Sequence, residues 1–143
     1  MMSNSQSSQL NNFEEIEHTA DWAYRVKGYN LADLFIQAAH GLYALVGMEL
    51  ASEVTVTRTI KLEGIDRESL LVAWLNELLY LHESEGLGFV EIEIQHLDET
   101  SLQATVRGAS TQQWLKEIKA VTYHNLSIEE KESGLEVTLV LDV

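Results

Sequence analysis

The chain has 143 residues and carries nine Lys plus Arg against 23 Asp plus Glu, a formal net charge of −14. That length suits one domain rather than two independent cores, and the acidic balance lacks the basic footprint with which nucleic-acid binders neutralise phosphates. RNA would be repelled at long range, so direct nucleic-acid binding is not expected, and a basic protein partner or a cation suits the charge better. There is no cysteine, hence no disulfide framework. The start of the chain shows no basic region followed by an apolar run, and no stretch approaches the roughly 18 apolar residues of a membrane span. The expectation is a soluble, cytoplasmic protein with no membrane contact.

Residues 1–12, MMSNSQSSQLNN, are polar and read as a flexible tail; residues 13–143 read as a single domain. Phe13–Glu17 and Trp22–Lys27 read as strands flanking a polar corner, His18 to Asp21. In the second, Trp22, Tyr24 and Val26 share one face and Arg25 and Lys27 the other. Asn30 is placed to cap a helix over 31–46, whose apolar stripe is Leu31, Leu34, Phe35, Ala38, Ala39, Leu42, Leu45 and Val46, with Gly47 as its stop. Val54, Val56, Ile60 and Leu62 alternate with polar residues as a half-buried strand, with Arg58 interrupting the inward face. Asp66 caps a second helix through about His82, with Leu70, Leu71, Trp74, Leu75, Leu78 and Leu79 as its stripe, and Glu85 to Gly88 breaks it.

The remainder reads as strands. Val90, Ile92 and Ile94 alternate with Glu91, Glu93 and Gln95, and Leu102, Ala104 and Val106 form the next set across a hairpin turn at 97–100. Gly108 to Leu115 reads as a polar loop, and Ala120–Glu129 and Leu135–Val143 as a last pair. The order β-β-α-β-α-β-β-β-β, with no prolines and no repeats, indicates an α+β fold: a largely antiparallel sheet with two amphipathic helices packed on one face.

Common catalytic signatures are missing. Gly86 and Gly88 lack the third glycine of a phosphate-cradling loop, and the five histidines form no HExxH. His40 and His82 read as partly exposed helix residues, and His96 as an inward-facing structural residue near a strand end. Two places stand out. One is the corner at His18 to Asp21, where Asp21 alone reads as a turn or capping residue. The other is the end of the last strand, where the side chain of Asp142 and the carboxylate of Val143 adjoin. Two neighbouring anions need protonation, a lysine or a metal between them. An all-oxygen donor set suits a hard cation: Ca²⁺, which tolerates irregular geometry, or Mg²⁺ or Mn²⁺.

Four segments in register resemble the archease family. They are FEEIEHTAD over residues 13–21, WLNELLYL over 74–81, EIKAVTYH over 117–124, and the closing Asp142-Val143. The resemblance implies a divalent-cation site made by Asp21, Asp142 and the Val143 carboxylate, with Lys119 as a functional lysine beside it and His18, Tyr123 and His124 as supporting residues. It implies an accessory protein, not itself an enzyme, that activates an RtcB-type RNA ligase in tRNA splicing or repair by promoting its guanylylation and multiple turnover. The alternative is a general chaperone, or a modulator of another tRNA-processing enzyme such as a methyltransferase. Plainer roles exist within the same segments: Lys119 balances local carboxylates, at least one of Tyr123 and His124 packs, and His18 orients the corner. Family members with this pattern carry a histidine in the polar loop before the third segment; Gly108–Leu115 has none. Trp114 in that loop serves either as an exposed anchor for a partner or as a cover for the end of the sheet.

Overall fold

The computed structural model describes residues 13–17 and 22–143. In chain order the elements are β1 (Phe13–Glu17), β2 (Trp22–Gly28), α1 (Leu31–Val46), β3 (Glu49–Leu50), β4 (Val56–Glu63), α2 (Arg67–Glu85), β5 (Leu87–Leu97), β6 (Ser101–Gln113), β7 (Ala120–Thr122), β8 (Glu129–Lys131) and β9 (Gly134–Asp142). The α+β class and the two helices agree with expectation. The single sheet does not. One sheet runs β1-β2-β9-β7 with β8 also on β9, and a second is built around β6, which pairs with β3, β4 and β5. Every pairing is antiparallel. Both helices touch both sheets: α1 meets β2 and β5, and α2 meets β7 and β5. A helix stripe therefore buries itself between two layers, not on one.

The helix ends follow from local chemistry. Asn30 Oδ1 accepts the Asp33 amide at 2.8 Å, and Asp66 Oδ1 accepts the Ser69 amide at 2.8 Å while the Ser69 hydroxyl reaches back to the start of α2. This satisfies amide donors that the first helical turn leaves unpaired. Gly47 and Gly86 end the helices in the left-handed region, at φ 66° and 72°, where a Cβ is strained. α2 therefore runs to Glu85, past His82. The predicted stripes of both helices enter one core cluster with Tyr24, Val26, Leu102, Ala104, Val106, Val137, Leu139 and Leu141. Two buried polar handles in that core are satisfied: Trp74 Nε1 donates to the Phe35 carbonyl at 2.9 Å, and the Tyr24 hydroxyl to the Ala38 carbonyl at 2.8 Å.

Strand details depart from strict alternation, each for a local reason. β5 has irregularities between Phe89 and Glu91 and between Ile94 and His96, so Val90 and Gln95 are extra residues opposite β6. The first turns Val90 outward, 43% exposed, while Phe89 fills the core. The second puts His96 outside as well, where its Nε2 meets Asp98 Oδ2 at 3.0 Å and Ser101 Oγ at 2.9 Å. His96 is thus not inward-facing. The segment from Gly108 is no loop: β6 continues to Gln113, and β3 pairs with it. The strand expected over Ala120–Glu129 is two short ones, β7 and β8, interrupted where Asn125 adopts φ 56°. Arg58 keeps its inward parity because its guanidinium pairs with the Glu85 carboxylate at the end of α2.

Candidate functional site

The end of β9 is fixed on two sides. On one side β2 pairs with it, Trp22 opposite Leu141. On the other, β7 places Ala120 opposite Asp142 and Val121 opposite Leu141. The pairing extends one step further, since the Lys119 amide donates to the Asp142 carbonyl at 2.8 Å. The structure therefore brings Lys119 and Asp142 side by side, at the exposed ends of their strands.

Three residues of β7 pair with only one strand, so something else must hold the other edge. The side chain of Asn76 does so. Its Oδ1 accepts the Val121 amide at 2.8 Å and its Nδ2 donates to the Val121 carbonyl at 3.1 Å. One side-chain amide substitutes for a neighbouring strand and ties α2 to β7. Val121 is 3% exposed, so its backbone groups have few alternative partners. The sequence reading missed Asn76. The available signal was an Asn in the interior of a long apolar-striped helix, where its propensity is poor and no cap is needed.

Two expected supporting residues lie elsewhere. Tyr123 and His124 follow β7 at the end opposite Lys119; four residues of extended chain cover on the order of 13 Å. The Tyr123 hydroxyl donates to the Asp66 carboxylate at 3.1 Å, joining this turn to the N-cap of α2. That bond raises the Tyr123 pKa, while the Ser69 amide is the main cause of the lowered pKa of Asp66. His124 Nε2 lies 3.1 Å from Asn125 Nδ2. Both residues are exposed, which corrects the expectation that one of them packs: the strand ends at Thr122, so alternation does not reach them. His18 and Asp21 lie outside the described residues. Trp22, which follows Asp21, is described; it is 9% exposed and has the Lys116 ammonium 4.0 Å from its ring centroid.

Beside Lys119 a cavity of about 310 Å³ opens between α2 and residues 114–120. Trp114 lies there as a cover. Its ring stacks on His82 at 3.6 Å with planes 7° apart, and meets Tyr43 edge-on at 6.0 Å. Of the two roles open for Trp114, packing is the one the contacts match. His82 has its pKa lowered by desolvation, which outweighs the opposing influence of Glu117 and Glu83.

Asp142 and Lys119 supply chemistry of a recognisable kind: an exposed carboxylate and an exposed lysine on hydrogen-bonded stretches of backbone, at a strand end clamped by a helix. No group of three or more metal-ligating side chains occurs among the described residues, and Asp21 is not one of those. The family model for the archease proteins matches residues 13–143. The chain belongs to the archease family. It is 34% identical over 138 residues to the archease of Methanopyrus kandleri, covering 92% of this chain and 99% of that one. It is 38% identical over 136 residues to the archease of Archaeoglobus fulgidus, covering 90% and 96%. Among solved structures, protein 1598 of Methanobacterium thermoautotrophicum matches with a TM-score of 0.67 at 28% identity, over 92% of this chain and 99% of that one. An archease from Thermotoga maritima, described as a possible chaperone, matches with a TM-score of 0.67 at 25% identity, over 99% and 100%. Each archease segment recognised in the sequence now has a described part in the fold: β1, the Asn76-bearing stretch of α2, the Lys119–β7 stretch, and the end of β9.

Proposed function

We propose that this archease-family chain is an accessory protein, not an enzyme, that activates an RtcB-type RNA ligase by presenting a divalent cation and Lys119 from the end of the β7–β9 ladder. The observation that carries this reading is the Lys119–Asp142 pairing, because it joins two segments that resemble the family and lie far apart in sequence. The donor set fits a hard cation. Asp142 is exposed, no other described side chain hydrogen-bonds to its carboxylate, and oxygen-only ligands suit Ca²⁺, Mg²⁺ or Mn²⁺. Asp142, the Val143 carboxylate and Asp21 would hold the ion. Asp21 is the chain neighbour of Trp22, and Trp22 is registered opposite Leu141, the neighbour of Asp142.

A cation there neutralises adjacent carboxylates and supplies a positive charge where this acidic surface meets its partner. Lys119 adds a second positive charge beside it. The net charge of −14 argues for docking on a protein rather than gripping RNA. No helix among the described residues is long and apolar enough to cross a membrane, and action in the cytoplasm belongs to the same proposal.

The test is the number of sealed RNA products formed per ligase molecule, with and without this protein. Turnover well beyond one per ligase is expected only when it is present, and unchanged turnover would sink the reading. The competing role, a general chaperone or a modulator of a tRNA methyltransferase, needs a contiguous apolar surface to hold clients. Among the described residues the most exposed large apolar side chains, Tyr29, Ile65, Tyr80 and Leu115, sit on separate segments. Suppression of aggregation for unrelated clients, insensitive to changes at Asp142 or Lys119, would favour that role instead.

A further inference from the structure

The cavity beside Lys119 has a lining that the cation site does not use. Its floor is Leu79, Ile118 and the stacked rings of His82 and Trp114, and its rim carries Tyr80, Glu83 and Glu117. Leu79 and Ile118 are 8% and 6% exposed, while Tyr80 is 57% exposed. Glu83 and Glu117 come from different segments, yet both lie close enough to His82 to act on it electrostatically. Neither carboxylate forms an ion pair with another described residue, and the nearby Lys116 ammonium sits over Trp22. Burial lowers the pKa of His82 below its ordinary value, so this ring does not balance the two carboxylates near pH 7.

We propose that this groove receives an arginine side chain on the surface of the partner ligase, with the guanidinium held by Glu83 and Glu117 and its stem lying over the apolar and aromatic floor. Two unpaired carboxylates beside aromatic rings match arginine better than lysine. A planar guanidinium stacks on aromatic faces and offers a fork of donors to carboxylates, whereas an ammonium is compact and strongly hydrated. An isolated surface carboxylate would be solvated and uninformative; two that face one aromatic-floored cavity on an acidic protein form a complementary socket. Lys119 also lines this groove, so an arginine seated there would bring the ligase surface against the cation site. The identity of the partner rests on the accessory role proposed above; the guanidinium chemistry of the groove does not.

Two measurements separate those dependencies. The first titrates the full chain with N-acetyl-arginine methylamide, followed by NMR, with the lysine analogue as control. Shifts concentrated at Trp114, Tyr80, Glu83 and Glu117 are expected. They should be weaker with lysine and absent in Glu83→Gln/Glu117→Gln, two exposed isosteric changes that leave the fold intact by circular dichroism. No arginine-dependent shift at these residues overturns the proposal, whatever the ligase does. The second measures affinity for the RtcB-type ligase. The double variant should bind roughly tenfold or more weakly, with Ca²⁺ binding unchanged. Undiminished ligase binding by the double variant overturns the docking role. Arginine shifts without any ligase binding by the wild-type chain would instead keep the groove and remove the ligase.

Discussion

Two aspartates near strand ends meet opposite fates in this fold. Asp98, at the tip of the β5–β6 hairpin, is consumed by its own turn. Its Oδ1 accepts the Thr100 amide at 2.9 Å, the Ser101 amide at 2.8 Å and the Ser101 hydroxyl at 3.0 Å, and its Oδ2 lies 3.0 Å from His96 Nε2. Those donors, the Thr100 amide first, bring its pKa down to about 2. Asp142, at the end of β9, spends its backbone on Lys119 and leaves its carboxylate to solvent. A cluster of His, Asp and Ser that looks like chemistry is thus a closed turn. Asp142, exposed and adjoining the Val143 carboxylate, keeps its side-chain oxygens clear of such turn donors. What separates them is not residue type but whether local backbone donors have already saturated the oxygens.

The contrast can be broken most severely through Asn76. Asn76→Leu removes both hydrogen bonds to Val121 and leaves a buried amide and carbonyl unpaired, at roughly 1–3 kcal/mol each. The expected result is a clear drop in melting temperature and loss of ligase stimulation, because β7 no longer holds Lys119 beside Asp142. A melting temperature equal to the wild type's would show that β9 alone fixes β7.

Asp142→Asn should act on the ion and not on the fold. Ca²⁺ affinity by calorimetry should fall roughly tenfold or more, as expected on losing a charged oxygen donor, with the unfolding transition unmoved. Adding residues after Val143, which converts its carboxylate to an amide, should weaken Ca²⁺ binding in the same direction. If both variants bind Ca²⁺ as the parent does, the cation site lies elsewhere.

Asp98→Asn should show the reverse pattern. Hydrogen exchange at Thr100 and Ser101 should quicken, while Ca²⁺ affinity and ligase stimulation stay unchanged; a loss of either would give the hairpin a part in function.

The smallest effect is a pH dependence. The pKa of Asp98 is depressed from 3.8 to about 2, so its contribution is fully present above about pH 4 and is lost as pH falls through about 2. Side-chain NMR of the hairpin should therefore report an intact turn at pH 4 that opens towards pH 2. Opening centred near pH 4 would mean that the turn donors do not favour the ionised carboxylate.

Much of this molecule was legible without coordinates. Both helices, their caps at Asn30 and Asp66, the stop at Gly47 and the buried stripes follow from a 3.6-residue period and short-range capping chemistry, which are properties of neighbouring residues. The acidic charge, and the archease resemblance with its Lys119 and Asp142, were likewise written in the chain. Tertiary structure decided what depends on partners distant in sequence. Alternation shows that β2, β6 and β9 each have a buried face, but not that they divide between two sheets. Nor does it register the extra residues Val90 and Gln95, the second of which turns His96 outward because one added residue reverses strand parity. Trp114 could be an anchor or a cover until His82 was found stacked on it. Asn76 was a polar residue on a helix until Val121, 45 positions away, supplied both halves of its amide pairing. Sequence determined which groups were available at the end of β9; only the fold decided which of them remain free to meet something outside the protein.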